Sequence, residues 1–182
     1  MKKTFKSIIT VLSLSAIAFV SNAQSVMVGG AAMYPNKNII ENAVNSKDHT
    51  TLVAAVKAAG LVDALSGDGP FTVFAPENSA FDKLPEGTVA TLVKPENKGT
   101  LTTILTYHVL SGKYDAATLM EAIKMGKGKA MMKTLQGEEL TFMMKGKKKI
   151  EIMDAKGGTA TVTIPNVYQS NGVIHSIDTV LM

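Results

Sequence analysis

The sequence predicts an α+β domain in which helices come first and a meander of strands follows. Up to about residue 124 the apolar residues recur mainly at helical spacing, and from Lys129 onward the period changes to two. Turn signals separate the alternating segments, and no repeat of solenoid length occurs in the 182 residues. One half of the domain should therefore be helical and the other half built from strands.

The first 23 residues have the pattern of a cleaved secretory signal peptide. A basic start at Lys2, Lys3 and Lys6 precedes the apolar stretch from Ile8 to Val20, and small residues follow at positions 21 to 23. This stretch of 13 residues is shorter than the roughly 20 that a transmembrane helix needs. The sequence thus predicts export without a transmembrane anchor, to the periplasm, the cell surface or the extracellular space.

Composition narrows the functions open to the exported chain. Removal of the signal leaves 182 − 23 = 159 residues, enough for one domain with its own core. The remaining 19 − 3 = 16 lysines face 15 acidic residues, so the net charge is +1. Cysteine is absent, so packing must hold the exported fold without disulfides. Arginine is absent as well, which argues against sequence-specific recognition of nucleic acid.

The helical half is expected to begin after a short N-terminal lead-in. Residues 24–37 are rich in Gly, Ala and Met and form this lead-in, and the domain proper spans residues 38–182. Asn38 and Glu41 have the spacing of a capping box, which starts a helix. Later helices are predicted where apolar residues keep helical spacing. These segments are Thr50 to Ala59, Leu61 to Leu65, Thr88 to Val93, Leu101 to Leu105 and Asp115 to Lys124.

Two apolar segments a hundred residues apart are predicted to be strands. Phe71 to Ala75 reads as a buried strand that stops at Pro76, and a short helix should follow with Asn78 as its N-cap. Asn171 to Leu181 is expected to form a strand pair, with Gly172 supplying the turn before it.

The strand half follows from alternation of apolar and polar residues between turn signals. The predicted strands are Met131 to Leu135, Leu140 to Met144, Lys149 to Met153, Thr159 to Ile164 and Val173 to Leu181. The turns between them are expected at Gln136-Gly137, Lys145-Gly146 and Lys156-Gly157-Gly158.

Three segments resemble the motifs of the fasciclin domain family. Phe71 to Phe81 is similar to its first signature box, Tyr107-His108-Val109 to its central motif, and Asn171 to Leu181 to its last box. The resemblance covers roughly residues 36 to 182. It implies a wedge of two β-sheets with short helices packed alongside. It also implies an extracellular adhesion module rather than an enzyme.

The resemblance also brings forward two candidate binding residues. The Tyr-His motif of the family is implicated in adhesion, and here it is Tyr107 and His108. Both side chains look half buried in the sequence, so they are either a contact patch or keystones of the fold. A second adhesion motif, known in animal members, begins Asn-Lys-Asp. The corresponding Asn166 to Gln169 lacks the Lys and the Asp, which argues against integrin engagement.

Lysines cluster around one predicted hairpin turn. The cluster comprises Lys145, Lys147, Lys148 and Lys149, with Lys124, Lys127, Lys129 and Lys133 just upstream. Neighbouring ammonium groups attract anionic surfaces in a salt-dependent way. The turn is therefore a candidate binding site for cell-surface or matrix polysaccharide or protein. Protection of a sheet edge is the alternative role.

Methionine supplies the second function hypothesis. Seven of the 11 methionines fall between Met120 and Met153. The pairs Met131-Met132 and Met143-Met144 lie on successive predicted strands, so one thioether of each pair should face outward. Thioethers suit Cu(I), although methionine more commonly fills cores. A weak soft-metal or small-ligand site would need two or three of these sulfurs to converge with a histidine.

The histidines do not predict an enzyme. Ser170, His175 and Asp178 can be written as a triad, but no nucleophile elbow surrounds any serine. His175 and Asp178 are also expected on opposite faces of a strand. Neither His49 nor His108 has a second imidazole at metal-binding spacing. The sequence thus predicts a binding module for cell adhesion or matrix organisation, without a cofactor or catalytic residues.

Overall fold

The computed structural model describes residues 25–146 and 148–182, and its secondary structure has the α+β order that the sequence predicts. The signal pattern at residues 1–23 lies outside the described residues, as does Lys147. The helices are α1 (Ile39–Ala43), α2 (Thr50–Ala59), α3 (Val62–Ser66), α4 (Asn78–Phe81), α5 (Thr88–Leu92), α6 (Lys98–Tyr107) and α7 (Ala116–Met125), with 3₁₀ turns at Lys47–His49 and Pro95–Asn97. The strands are β1 (Val26–Val28), β2 (Ala31–Met33), β3 (Phe71–Pro76), β4 (Val109–Ser111), β5 (Lys129–Lys133), β6 (Glu139–Lys145), β7 (Lys149–Met153), β8 (Thr159–Gln169) and β9 (Gly172–Ile177).

Seven of these strands form one sheet in the order β4-β3-β9-β8-β7-β6-β5, and β1 and β2 form a separate hairpin. All neighbours in the sheet are antiparallel except β3 and β9, which are parallel. Register shifts between Val162 and Val167 bend β8, whose first half pairs with β7 and whose second half pairs with β9. Leu110 of β4 bridges Thr134 just after β5, so the two ends of the sheet meet.

The predicted caps place the first helices. Asn38 Oδ1 accepts a hydrogen bond from Glu41 N at 2.9 Å, and the Glu41 carboxylate accepts one from Asn38 N at 2.7 Å. This is the capping box read from the sequence. Helix α2 has the predicted bounds, and Gly60 follows it at φ 73° in the left-handed region that favours glycine.

Asn78 caps a helix other than the predicted one. Glu77, not Asn78, holds the N-cap position of α4. The Asn78 side chain reaches α2 instead, where Oδ1 accepts from Thr51 N at 3.1 Å and Nδ2 donates to Lys47 O at 2.8 Å. The prediction was wrong because the amide N–H of Thr51 at the start of α2 competes for the Asn78 side chain, whose own helix has only four residues.

The last signature segment is one strand rather than a strand pair. Strand β9 lies between β3 and β8 and ends at Ile177. Gly172 does not make a turn. It pairs with Phe71 of β3, and a Cβ at this position would collide with the Phe71 carbonyl oxygen. Close approach of two backbones therefore accounts for this glycine.

Strands β5 and β8 differ from their predicted ranges by two residues or more at an end. Strand β5 begins two residues earlier and ends at Lys133, because Thr134 already belongs to the turn, donating its N–H to Glu138 O at 2.8 Å. Strand β8 runs on to Gln169, past the predicted end at Ile164. Bulges do not follow from alternation, since each inserts a residue that breaks the period of two.

Two hydrophobic cores lie on the two sides of the bent sheet. The first packs the helices α1, α2, α3 and α6 against β3 and β9, and Val28 and Met33 of the β1–β2 hairpin belong to it. The lead-in segment thus contributes to the folded unit. The second core packs α7 against β5 to β8. Phe74 and Phe142, whose ring centroids are 5.3 Å apart, lie at the centre of this second core.

Candidate interaction surface

The outward face of β5, β6 and β7 collects half of the clustered lysines and half of the paired methionines that the sequence singles out. Strand alternation sends one set of side chains inward against α7 and the other set to the surface. We call the surface set the lysine–methionine face. It comprises Lys129, Met131, Lys133, Glu139, Thr141, Met143, Lys145, Lys149, Glu151 and Met153.

Cross-strand pairing puts the thioethers in the middle of this face. Thr141 is flanked by Met131 on β5 and Met153 on β7, and Met143 stands in the next row. Met131 has 64% of its surface exposed, whereas Met143 and Met153 are half-buried. The surface therefore offers flexible, polarizable side chains in the centre.

Charged residues occupy the ends of the lysine–methionine face. Lys133 pairs across the strands with Glu139 at one end, and Lys145 pairs with Lys149 at the other. Lys145 and Lys149 are the last paired residues before the predicted hairpin turn between β6 and β7. Lys148 and Lys149 are exposed at this turn.

Among the lysines of the cluster that the structure describes, only Lys145 has an ammonium group bonded to side chains of the sheet. Its Nζ lies 2.9 Å from Glu151 Oε1 and donates to Thr161 Oγ1 at 3.0 Å. The hydrogen bond and charge of Glu151 raise the pKa of Lys145. Because this side chain already has an anionic partner, it contributes less positive charge to the surface than its neighbours do.

The upstream lysines extend the positive surface along the last strand of the sheet. Lys124 lies in the last turn of α7, and Lys127 adopts φ 55° in the turn that leads into β5. Lys129 and Lys133 follow on β5, and all four side chains are exposed. Lysines on a terminal strand also discourage that strand from pairing with strands of other chains. The same lysines are therefore suited both to protecting the sheet edge and to binding anions.

The soft-metal hypothesis is not supported by the placement of the methionines. Met132 and Met144 pack against the second core, and Met131 and Met143 face outward. The outward pair is diagonal, since Met131 stands opposite Thr141 and Met143 stands opposite Lys129. The four sulfurs are therefore divided between two faces of the sheet, because neighbours on a strand point in opposite directions.

Histidine does not complete such a site either. All three imidazoles are buried, with at most 4% of their surface exposed. The exposed sulfur of Met131 consequently has no imidazole beside it in the described part of the chain. Residues 25–146 and 148–182 also contain no group of three or more His, Asp or Glu side chains placed to hold a metal ion.

Tyr107 is a keystone of the fold rather than a half-buried contact. Only 4% of it is exposed, so the expectation of a half-buried side chain was wrong. Its hydroxyl accepts from Ala155 N at 2.9 Å and so fastens the turn between β7 and β8 to α6. Burial raises the pKa of this hydroxyl. Sequence reasoning missed the burial because the residue lies at the end of a helix, where its direction depends on the next strand.

His108 is equally buried and holds the C-terminal segment. Nδ1 lies 2.8 Å from Ile104 O, to which it donates, and Nε2 accepts from Leu181 N at 3.0 Å. Burial lowers the pKa of His108 to about 4, so the ring is neutral at physiological pH. Neither residue of the Tyr-His motif presents its side chain to a partner in this conformation.

The residues of the written triad do not meet. His175 is fully buried, with Nε2 donating to Tyr114 O at 2.9 Å and Nδ1 accepting from Asn166 N at 3.3 Å. Asp178 accepts from Thr161 N at 2.7 Å instead. Both ring nitrogens of His175 are thus engaged by the backbone, which leaves the imidazole a structural role.

Glu151 and Met153 belong to the candidate surface although the sequence did not single them out. Each takes its place through its cross-strand neighbours, Glu151 beside Met143 and Met153 beside Thr141. Alternation in the predicted strand Lys149 to Met153 places both side chains on the face opposite Ile150 and Ile152. The length of the hairpin turn then fixes which residues face each other across the strands.

No helix in the described residues is long and apolar enough to cross a membrane.

A family profile and individual known proteins each match most of this chain. The family profile described as Fasciclin domain matches residues 47–182. Protein sll1483 of Synechocystis sp. is 48% identical over 159 residues, which cover 87% of this chain and 81% of that protein. Cell surface glycolipoprotein MPB83 of Mycobacterium bovis is 35% identical over 160 residues, which cover 85% of this chain and 63% of that protein.

A solved structure shares the fold. It contains a FAS1 domain pair from the insect cell adhesion molecule fasciclin I and superposes with a TM-score of 0.72 at 19% identity. The match covers 81% of this chain and 51% of that chain, so the protein spans about half of the domain pair.

Proposed function

The chain belongs to the fasciclin domain family, and from this premise we propose that it is an exported binding module for cell adhesion or matrix organisation. Export is supported by the signal pattern of residues 1–23. The signal pattern is compatible with the periplasm, the medium or the cell surface. A relative named as a cell surface glycolipoprotein supports action at the cell surface. Adhesion is supported by the fold that it shares with an insect cell adhesion molecule.

The lysine–methionine face is the proposed binding surface, with Lys148 at the adjoining turn. The proposal rests mainly on the concentration of positive charge. Eight of the 16 lysines that follow residue 23 lie in the segment from Lys124 to Lys149. Lys129, Lys133 and Lys149 are exposed on this face. Such a surface attracts polyanions, and the half-buried thioethers add adaptable apolar contact.

The geometry favours a polymer over a compact anion. The charges are spread over β5, β6 and β7, and neighbouring strands lie about 4.8 Å apart. One phosphate or carboxylate reaches only a fraction of these lysines. A polysaccharide or protein with repeated acidic groups reaches several at once, so acidic surface or matrix polymers are the proposed partners.

Binding of purified protein to an acidic polysaccharide, with heparin and alginate as probes, tests this proposal. Lys129, Lys133, Lys148 and Lys149 are changed together to Gln, which removes four exposed charges and leaves the Lys145–Glu151 pair intact. At low salt the dissociation constant should rise about tenfold or more, as expected for several weak exposed ion pairs acting together. Binding of the unaltered protein should weaken with added salt.

A matched variant controls for net charge. Lys47, Lys94, Lys98 and Lys156 are also exposed and lie elsewhere, so changing them to Gln removes the same charge. This control should bind within about twofold of the unaltered protein, because single exposed charges away from a contact contribute little. Equal losses in the two variants would show that total charge, rather than this face, governs binding.

A further inference from the structure

A cavity of about 60 Å³ lies in the helical half of the molecule, between α1, α2 and the sheet. Its floor is formed by Val73 of β3 and Ile174 of β9. Val28 and Met33 of the β1–β2 hairpin form one wall. The side chains at this floor and wall are buried members of the first core, so the inner end of the cavity is apolar.

The cavity reaches the surface between the first two helices. Ile40 and Val44 line it on the α1 side, and Val53 and Lys57 line it on the α2 side. Val44 has 48% of its surface exposed. Val53 and Lys57 are four residues apart on one helix and therefore stand side by side. The mouth is thus an apolar strip with one ammonium group at its border.

The buried polar side chains in the lining all have hydrogen-bond partners. His108 bonds to Ile104 O and Leu181 N, and the other three are paired with one another. Ser46 Oγ lies 2.9 Å from His49 Nδ1, and His49 Nε2 lies 3.3 Å from Ser176 Oγ. Burial lowers the pKa of His49, so the ring is neutral at physiological pH. No buried side-chain N or O atom of the described residues lacks a hydrogen-bond partner. The cavity therefore has little to offer water, and such apolar cavities accept apolar ligands.

We propose that this cavity binds the end of the alkyl chain of an anionic amphiphile, whose head group lies against Lys57. At about 60 Å³ the cavity is smaller than the roughly 150 Å³ that accommodates benzene, so a narrow unbranched chain end fits better than a ring. The rest of the chain lies along Ile40, Val44 and Val53. The ammonium of Lys57 favours a carboxylate or phosphate head over a neutral or cationic one. This site is independent of the polymer-binding face.

Decanoate and decyltrimethylammonium, which share a chain length and differ in head charge, are the probes. Each is titrated below its micelle concentration into the purified protein, with methyl resonances followed by NMR. Decanoate should saturate one site, shift the methyl groups of Val73 and Ile174, and bind at least about tenfold more tightly than the cation. Shifts confined to exposed methionines, or a failure to saturate, would overturn the proposal.

Two variants with matched controls test the mouth. Lys57→Glu should abolish the preference for decanoate, whereas Lys124→Glu, which makes the same charge change on α7, should keep it. Val44→Trp should cover the opening and weaken decanoate at least about tenfold. Val93→Trp, at the corresponding C-cap of α5, should not. An unchanged preference in the folded Lys57→Glu protein would overturn the role of the head group.

Decanoate binding by the quadruple lysine variant separates this proposal from the polymer-binding one. Its affinity should equal that of the unaltered protein, because the changed lysines lie on β5, on β7 and at the β6–β7 turn rather than at the cavity. A parallel loss of both ligands would place the amphiphile on the lysine–methionine face and overturn the cavity as its site.

Discussion

Single buried histidines make the stability of this protein sensitive to acid. His108 stays neutral in the folded state down to about pH 4, whereas in the unfolded chain it takes up a proton near pH 6.5. Its contribution to stability is therefore complete above pH 6.5 and is lost as the pH falls through this interval to about 4. Burial lowers the pKa values of His49 and His175 in the same direction.

We expect the free energy of unfolding to fall by about 3 kcal/mol between pH 7 and pH 4 through His108 alone. Urea unfolding at a series of pH values measures this. His108→Gln should be less stable at pH 7 but should lose less stability on acidification, because it has no proton to take up. The lowered pKa values of Asp115 and Asp178 act mainly below pH 4. Equal slopes for the two proteins would show that other groups cause the acid sensitivity.

Removal of the Tyr107 hydroxyl tests whether this residue stabilises the fold or contacts a binding partner. Tyr107→Phe removes the acceptor of Ala155 N and should cost about 1 kcal/mol of unfolding free energy. Polysaccharide binding by the folded variant should be unchanged, since 4% of this residue is exposed. Loss of binding with unchanged stability would instead make the Tyr-His motif a contact site.

At the scale of elements, replacing a glycine is expected to have opposite effects on stability in a strand and in a helix. Gly172 faces the backbone of Phe71, and Gly99 lies in the first turn of α6 with open space around it. The Gly-to-Ala change adds the same methyl group in both places. In the strand this group must push two paired backbones apart, whereas in the helix it limits only the unfolded chain.

Gly172→Ala should therefore destabilise the protein by about 3 kcal/mol or more, and Gly99→Ala should stabilise it by up to about 1 kcal/mol. Thermal and urea unfolding of both variants provide the comparison. If both variants were destabilised to a similar degree, the close pairing of β3 and β9 would not explain Gly172.

Asn78 is a second test at this scale, since its side chain joins α4 to the start of α2. Asn78→Ala should cost about 1–2 kcal/mol, as the loss of a helix cap does. Ser79→Ala changes the exposed neighbouring residue and should cost well under that amount. Similar costs for the two changes would mean that the bond from Asn78 to Thr51 contributes nothing.

Local signals predicted the helices better than the binding surface. The capping box at Asn38 is contained in four consecutive residues and gave the correct start of α1, and helical spacing gave the correct bounds of α2. The inward direction of Tyr107 and the position of Glu151 beside Met143 depend on residues from other elements of the fold. Register and burial arise from long-range pairing, which a single sequence does not encode locally.

At the scale of the whole molecule, one short contact joins the ends of the sheet. Leu135 N donates to Val109 O at 2.8 Å beside the Leu110–Thr134 bridge. Its amide hydrogen should exchange with solvent about as slowly as the amides of β9, if the sheet opens only when the molecule unfolds. Native-state hydrogen exchange measures both. Fast exchange at Leu135 would show that the two ends separate while the rest stays folded.

The parallel pairing of β3 with β9 also sets the order of events during biosynthesis. The strand that lies between β3 and β8 is the last of the nine, and it reaches residue 177. The N-terminal helices therefore have no completed sheet to pack on until nearly all of the chain has left the ribosome, and such distant contacts form slowly. A nascent chain that stays unfolded this long remains suitable for threading through a secretion channel. For the proposed export of this chain, the position of β9 inside the sheet keeps the nascent protein without a completed sheet while it is being made.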